Sequence, residues 1–162
     1  MRSDYIIAVL LFIPLAVIQL TIIPLFSYNQ IAPDLILILL VYFTLRMGQL
    51  HGTILGFAFG LMFDLVSGSI LGSAAFAKTL SGFLTGYFYN ENKIENNLHS
   101  FMFLFIVLVI GTVDSVVYSF FSTTETGTGL MTLVIIQGLF PAIYSSVVSL
   151  PMVIFYSRKM FA

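Results

Sequence analysis

The run DLILILLVYFTLRMGQLHGTILGFAFGLMFDLV, residues 34–66, decides how this chain folds. It is apolar almost throughout and broken once, around Arg46, Gly48 and Gln49. Read as one helix it would extend ~50 Å at 1.5 Å per residue and strand Arg46 at its centre. A hairpin turning at Met47–Gln49 avoids that. It yields two helices, Asp34–Leu45 and Leu50–Val66, both short of the ~20 residues that a membrane helix normally needs. Both gain length if the Arg46 guanidinium snorkels to an interface. Pro33-Asp34 is a good helix start, because the carboxylate can cap free N–H groups of the first turn.

Composition says what surrounds these helices. The chain has 162 residues, 59% of them hydrophobic and 8% charged, against roughly 25% charged in a soluble domain. So few charges cannot coat a globule in water, and the apolar surface must face lipid. The net charge of −1 gives no basis for nucleic-acid binding. With no cysteine, disulfides, thiolate metal sites and cysteine nucleophiles are excluded. His51 and His99 are the only histidines, so an imidazole-rich metal cage is not expected, and neither is any cofactor.

Working outward, the whole chain, 1–162, reads as one integral membrane domain of six apolar segments. They are Tyr5–Phe26 (with Pro14 and Pro24), Asp34–Leu45, Leu50–Val66, Ile70–Tyr89, Leu98–Phe121 and Leu130–Tyr156. The first is longer than a signal-peptide core and lacks a small-residue cleavage pattern, so it reads as a retained span. Six crossings place Arg2, Arg46, Lys93, Arg158 and Lys159 on one side. The opposite turns, 27–33, 67–69 and 122–129, contain no Lys or Arg. The positive-inside rule then puts both termini in the cytoplasm. Tyr5, Tyr28, Tyr87, Tyr89 and Tyr156 fall near segment ends, where an amphipathic ring prefers to sit.

Three constellations stand out. Gly48, Gly52, Gly56 and Gly60 recur every four residues into the third segment, and Ala74, Lys78, Gly82 and Gly86 form a shorter ridge on the fourth. Such ridges let helix backbones approach closely; they serve internal packing or form a docking face for another membrane protein. Asp64, Lys78 and Asp114 are ionisable groups at membrane depth, where a charge costs about 2.5–3.5 kcal/mol on insertion scales and normally finds a partner. Helical side chains lean towards the N-terminus of their own helix. This predicts an Asp64–Lys78 ion pair across the turn Ser67–Ser69, with Asp114 nearby. A proton relay would need titratable groups across the whole membrane, and the inner half offers none comparable. The turn Ser67-Gly68-Ser69, followed by Leu71 and Gly72, suits a tight helix hairpin with a serine cap. No serine has an adjacent general base and no paired carboxylates share one helix face, so an enzyme is not expected. Asn29, Gln30, Glu125 and Thr123, Thr124, Thr126 and Thr128 read as solvated outer-turn residues.

The stretch Ile31–Tyr89 resembles the rod shape-determining protein MreD family of bacteria. Its marks are Pro33-Asp34 with the run LILILLVY, Arg46 and Gly48 in a short turn, and GFAFGLMFDLVSGSILGSAAFAKTLSGFLTGY from Gly56 to Tyr87. The positions that match are Pro33, Asp34, Gly56, Gly60, Asp64, Ser67, Gly68, Leu71 and Gly72; Lys78 is not carried over from the resemblance. The resemblance implies a bacterial inner-membrane protein of the cell-elongation machinery. It implies action with MreC, MreB, RodA and a class B penicillin-binding transpeptidase in lateral peptidoglycan synthesis. It also implies a fold similar to the S components of energy-coupling-factor vitamin transporters. The leading expectation is thus a non-enzymatic scaffold coupling a single-span MreC-like protein to peptidoglycan synthases. The alternative is an S component binding a vitamin or metal for import. That class docks through an Ala-x-x-x-Ala face on its first helix, whereas here Phe12 follows Ala8 and Ala16 comes a turn later.

Overall fold

A computed structural model describes residues 2–26, 31–91, 94–99, 101–122 and 133–158. They are helical almost throughout, with no strand among the described residues. The elements are α1 (Arg2–Thr21), α2 (Ile23–Phe26), α3 (Leu35–Met47), α4 (Gln49–Ser67), α5 (Ser73–Thr85), α6 (Ile94–His99), α7 (Phe101–Ser122) and α8 (Phe140–Arg158). A 3₁₀ turn, Gly86–Phe88, closes α5, and a π-helical stretch, Leu133–Leu139, leads into α8. Tyr28, Asn29, Gln30, Lys93, Lys159 and the 123–130 turn lie outside the described residues.

Contacts between elements set the direction of each pass. Asp4 of α1 meets Arg46 at the end of α3, while Gln19 meets Asp34 at its beginning. Gly60 of α4 faces Ala74 of α5, and Gly52 faces Gly82. Lys78 and Phe76 of α5 meet Asp114 and Phe121 of α7. Leu104 and Gly111 of α7 meet Ser146 and Ala142 of α8. Each pass therefore runs antiparallel to the one before, giving six helical passes through α1, α3, α4, α5, α7 and α8. The backbone at Arg2, Arg46 and Arg158 lies at one end of the bundle; the helix ends at Phe26, Ser67 and Ser122 lie at the other.

Four regions are long and apolar enough to cross a membrane: Asp4–Leu25, Gln49–Ser67, Phe101–Phe121 and Val134–Pro151. The helices α3 and α5 have only 13 residues each. The centre of the molecule explains this for α3. It contacts α1, α4, α5, α6, α7 and α8, and nine of its residues, among them Ile36, Leu37, Leu40 and Val41, are buried. A helix walled in by neighbours need not match the hydrocarbon thickness by itself. One core cluster packs Ala8, Phe12 and Ala16 of α1 against Ile36, Leu40 and Phe43 of α3 and Phe59 of α4. The other packs Leu37, Val41 and Leu45 of α3 against Phe103, Ile106 and Ile110 of α7. The outward faces carry Leu10 (66% exposed), Leu65 (64%) and Phe105 (55%), as a lipid-facing surface requires. At the charged end, Arg46 is exposed, and its guanidinium lies 3.4 Å from Asp4.

The glycine ridge is spent on internal contacts, most of them with one helix. A Cβ on Gly56 would sit 2.8 Å from the carbonyl carbon of Lys78, one on Gly60 2.5 Å from Cα of Ala75, and one on Gly82 2.7 Å from the carbonyl carbon of Gly52. A Cβ on Gly52 would also collide with the Thr44 side chain of α3, and one on Gly86 with Gln49. The helices α4 and α5 thus touch backbone to backbone, and the ridge offers nothing to an outside partner. Gly48 departs from the pattern. It forms the α3–α4 turn with φ +96°, a left-handed backbone that a Cβ disfavours, so its place in the four-residue spacing is not a packing role.

Candidate functional site

Where α3, α5 and α7 converge, Lys78 projects from α5 between two carboxylates. Its Nζ bonds Asp34 Oδ2 and lies 3.2 Å from Asp114 Oδ2. Lys78 is 3% exposed and Asp114 4%, so each charge depends on the others for solvation. Asp114 Oδ1 accepts a hydrogen bond from the Ser81 hydroxyl, one turn beyond Lys78 (2.9 Å). Asp34 is the N-cap of α3, its Oδ1 accepting the Leu37 N–H at 2.9 Å. Gln19 of α1 completes that cap: its amide NH₂ donates to Asp34 Oδ1 (3.1 Å), and its Oε1 accepts the N–H groups of Leu35 and Ile36. The Asp34 N–H donates to Ser145 Oγ of α8 at 2.8 Å. One carboxylate and its neighbours therefore join α1, α3, α5 and α8.

Asp64 does something else, and the expected Asp64–Lys78 ion pair is corrected. Among the described residues the ion-pair partners of Lys78 are Asp34 and Asp114. The Asp64 carboxylate instead accepts the N–H groups of Gly72, Ala74 and Ala75 (2.9, 3.1 and 3.1 Å) and the hydroxyls of Ser69 and Ser73 (2.8 and 3.3 Å). Those N–H groups open α5, where they have no helical partner and the helix dipole favours an anion. The expected serine cap is thus supplied by an aspartate of the preceding helix, and the N-cap residue itself is Gly72. Gly68, with φ +68°, ends α4, Ser67 bonds Ser69, and Leu71 is exposed beside the turn. We expect Asp64→Asn to place an NH₂ against these donors and to lower stability by about 3 kcal/mol. Thermal unfolding in detergent would read this; an unchanged midpoint would contradict the cap.

Above the triad lies a cavity of about 550 Å³. Gln19, Asp34, Lys78, Asp114, Ser115, Tyr118, Ser119 and Gln137 supply its polar lining; Ile23, Phe63, Ile136 and Pro141 are among its apolar walls. It sits in the half of the bundle nearer the 67–72 turn. Among the described residues no cluster of His, Cys, Asp or Glu is placed to hold a metal ion.

The family model of the rod shape-determining protein MreD matches residues 2–159. The chain belongs to the MreD family. Comparison with curated proteins and with solved structures gave no significant match. Membership in MreD, together with the long apolar helices, makes this a membrane protein with a role in rod shape determination.

Within this MreD chain, the structure brings Lys78 and Asp114 together, adds Asp34, and leaves Asp64 with the hairpin. Gln19, Ser81 and Gln137 were not singled out from sequence. A glutamine in an otherwise apolar span was the available signal for two of them, since an amide at membrane depth also needs partners. The histidines are apart from the triad: His51 packs its ring near Tyr5 at the Arg46 end, with centroids 5.6 Å apart, and the backbone at His99 ends α6.

Proposed function

We propose that this chain is a non-catalytic scaffold of the bacterial inner membrane. It spans the bilayer six times with both termini in the cytoplasm, its architecture being of the S-component kind. It couples an MreC-like single-span protein to RodA and a class B penicillin-binding transpeptidase, with MreB engaged indirectly. The observation that carries this reading is the family match over residues 2–159. The side chains support it: Asp64 is occupied in a turn, and Lys78 holds α5 to α3 and α7, so the charged groups serve architecture.

Because the glycine ridge is internal, the docking surface belongs elsewhere. The outer hairpin is the better candidate. Asp64 clamps its turn through five bonds, and around that rigid frame Leu65, Val66, Ile70 and Leu71 are each more than half exposed. A preordered apolar surface loses little entropy when a partner helix packs on it. We expect the double variant Leu65→Ser, Leu71→Ser to accumulate at normal levels yet recover about tenfold less MreC-like partner from solubilised membranes. Equal recovery at equal protein level would refute the hairpin as the contact.

The importer reading draws support from the cavity, but its docking face is taken. Ala8, Phe12 and Ala16 are buried against α3 and α4, with Phe12 stacked on Phe59 at 4.7 Å. A tightly held vitamin recovered with the purified protein would favour that reading over the scaffold.

A further inference from the structure

The cavity over the Asp34–Lys78–Asp114 triad has a chemical bias that the scaffold role leaves unused. Its charged lining contains two carboxyls and one ammonium. Asp114 accepts one bond at each oxygen, from Ser81 and Lys78, and a carboxylate offers about four acceptor sites. Gln137, on the π-helical stretch opposite, adds an acceptor: its Oε1 is buried and has no hydrogen-bond partner among the described residues. Carboxylate charge therefore outnumbers ammonium charge two to one in the lining of one space, which Gln137 shares. At about 550 Å³ that space falls within the roughly 300–1,000 Å³ of small-ligand pockets. An anion would meet two carboxylates there; a bare apolar ligand would leave Gln137 unpaired.

We infer that this cavity binds a primary ammonium group, which donates to Asp114 and Gln137 Oε1 and balances the second carboxylate. The walls indicate how it enters. One is α1 and α2, through Gln19, Ile23 and Pro24, and another is the π-helical stretch, through Ile136 and Gln137. The helix α1 packs on α2, α3 and α4, whereas the π-helical stretch packs on α7 and α8. The cavity lies between these two groups of helices, in reach of the bilayer as well as of the 67–72 turn. The ammonium can thus come from the ethanolamine headgroup of a phospholipid or from a free alkylamine. This inference does not depend on which protein meets the outer hairpin.

The test uses the full chain in detergent and in nanodiscs. Native mass spectrometry would compare retention of phosphatidylethanolamine and phosphatidylcholine, whose quaternary nitrogen has no N–H to donate. Thermal unfolding would be followed with and without free ethanolamine. Preferred retention of phosphatidylethanolamine, with no effect of the free amine, assigns the site to lipid. A rise in the unfolding midpoint with ethanolamine assigns it to a soluble amine. Either result should weaken about tenfold in Asp114→Asn, which removes a charge-assisted bond. Because Asp114 also joins α5 to α7, Gln137→Leu is the second variant. It removes no internal bond, should leave the midpoint of the free protein unchanged or higher, and should weaken binding about fivefold. Equal retention of both lipids together with no ethanolamine effect would overturn the inference, as would a Gln137→Leu protein that binds like the parent.

Discussion

A single methyl group on Gly56 or Gly60 is expected to cost this protein its fold. The new Cβ would lie 2.8 Å from the Lys78 carbonyl carbon in the first case and 2.5 Å from the Ala75 Cα in the second, where about 3.5–4.0 Å is needed. The obstacle is backbone, so no rotamer change relieves it. The helix α5 would have to move outward by about 1 Å. That movement would pull Ala74 and Ala75 from the Asp64 cap and Lys78 from its two carboxylates. Overpacking alone costs about 1–3 kcal/mol; with the polar contacts disturbed we expect 3 kcal/mol or more for each alanine variant. The readout is the monodisperse fraction in detergent together with the thermal midpoint. Gly68→Ala is the control. A Cβ there meets nothing within 4 Å, so only the left-handed backbone opposes it, at about 1–2 kcal/mol. If Gly56→Ala and Gly68→Ala lost equal stability, the close α4–α5 approach would not be the main constraint on this hairpin.

The same contact shows what a sequence can and cannot say about such a chain. Hydropathy and turn chemistry found the passes, because each is a local property. Residues 34–66 break at Gly48, and the observed α3 and α4 end within two residues of the expected limits. Small residues at four-residue spacing marked the tight face of α4, but periodicity cannot tell an internal partner from an external one. Only the position of α5 decides that. The charged groups were harder. Directional lean places Lys78 and Asp64 towards each other across their hairpin, yet it cannot rank a neighbour on the same hairpin against Asp34 and Asp114 on other helices. Nor could the demand for Asp64 be seen in advance: three backbone N–H groups and two hydroxyls compete for it, and backbone donors are absent from any residue pattern. Asp34 announces itself as a cap, while its second oxygen, the one facing Lys78, leaves no trace in local sequence. The cavity is the least legible feature, since residues as distant as Gln19 and Gln137 share its wall.

Lys78→Met should be the most damaging change of a single charge. Methionine approximates the lysine stem and keeps its packing, so the variant isolates the ammonium. Without it, among the described residues, Asp114 keeps only the Ser81 hydroxyl, and Asp34 keeps Leu37 and Gln19. Removing one partner of a buried ion pair leaves uncompensated charge and costs about 3–5 kcal/mol, whereas replacing every member by neutral groups of similar shape is often close to neutral. That asymmetry yields an ordered prediction. Lys78→Met should lose most of the folded protein, and Lys78→Met with Asp114→Asn should recover more than half of the lost stability. Asp34→Asn should compensate less well, because its carboxylate also caps α3 and an amide caps less strongly next to Gln19. Thermal midpoints of the three proteins, with the single aspartate variants closing the double-mutant cycles, would separate these contributions. Should Asp114→Asn fail to rescue Lys78→Met, uncompensated charge at Asp114 would not be the source of the loss, and the ammonium would act through Asp34 instead.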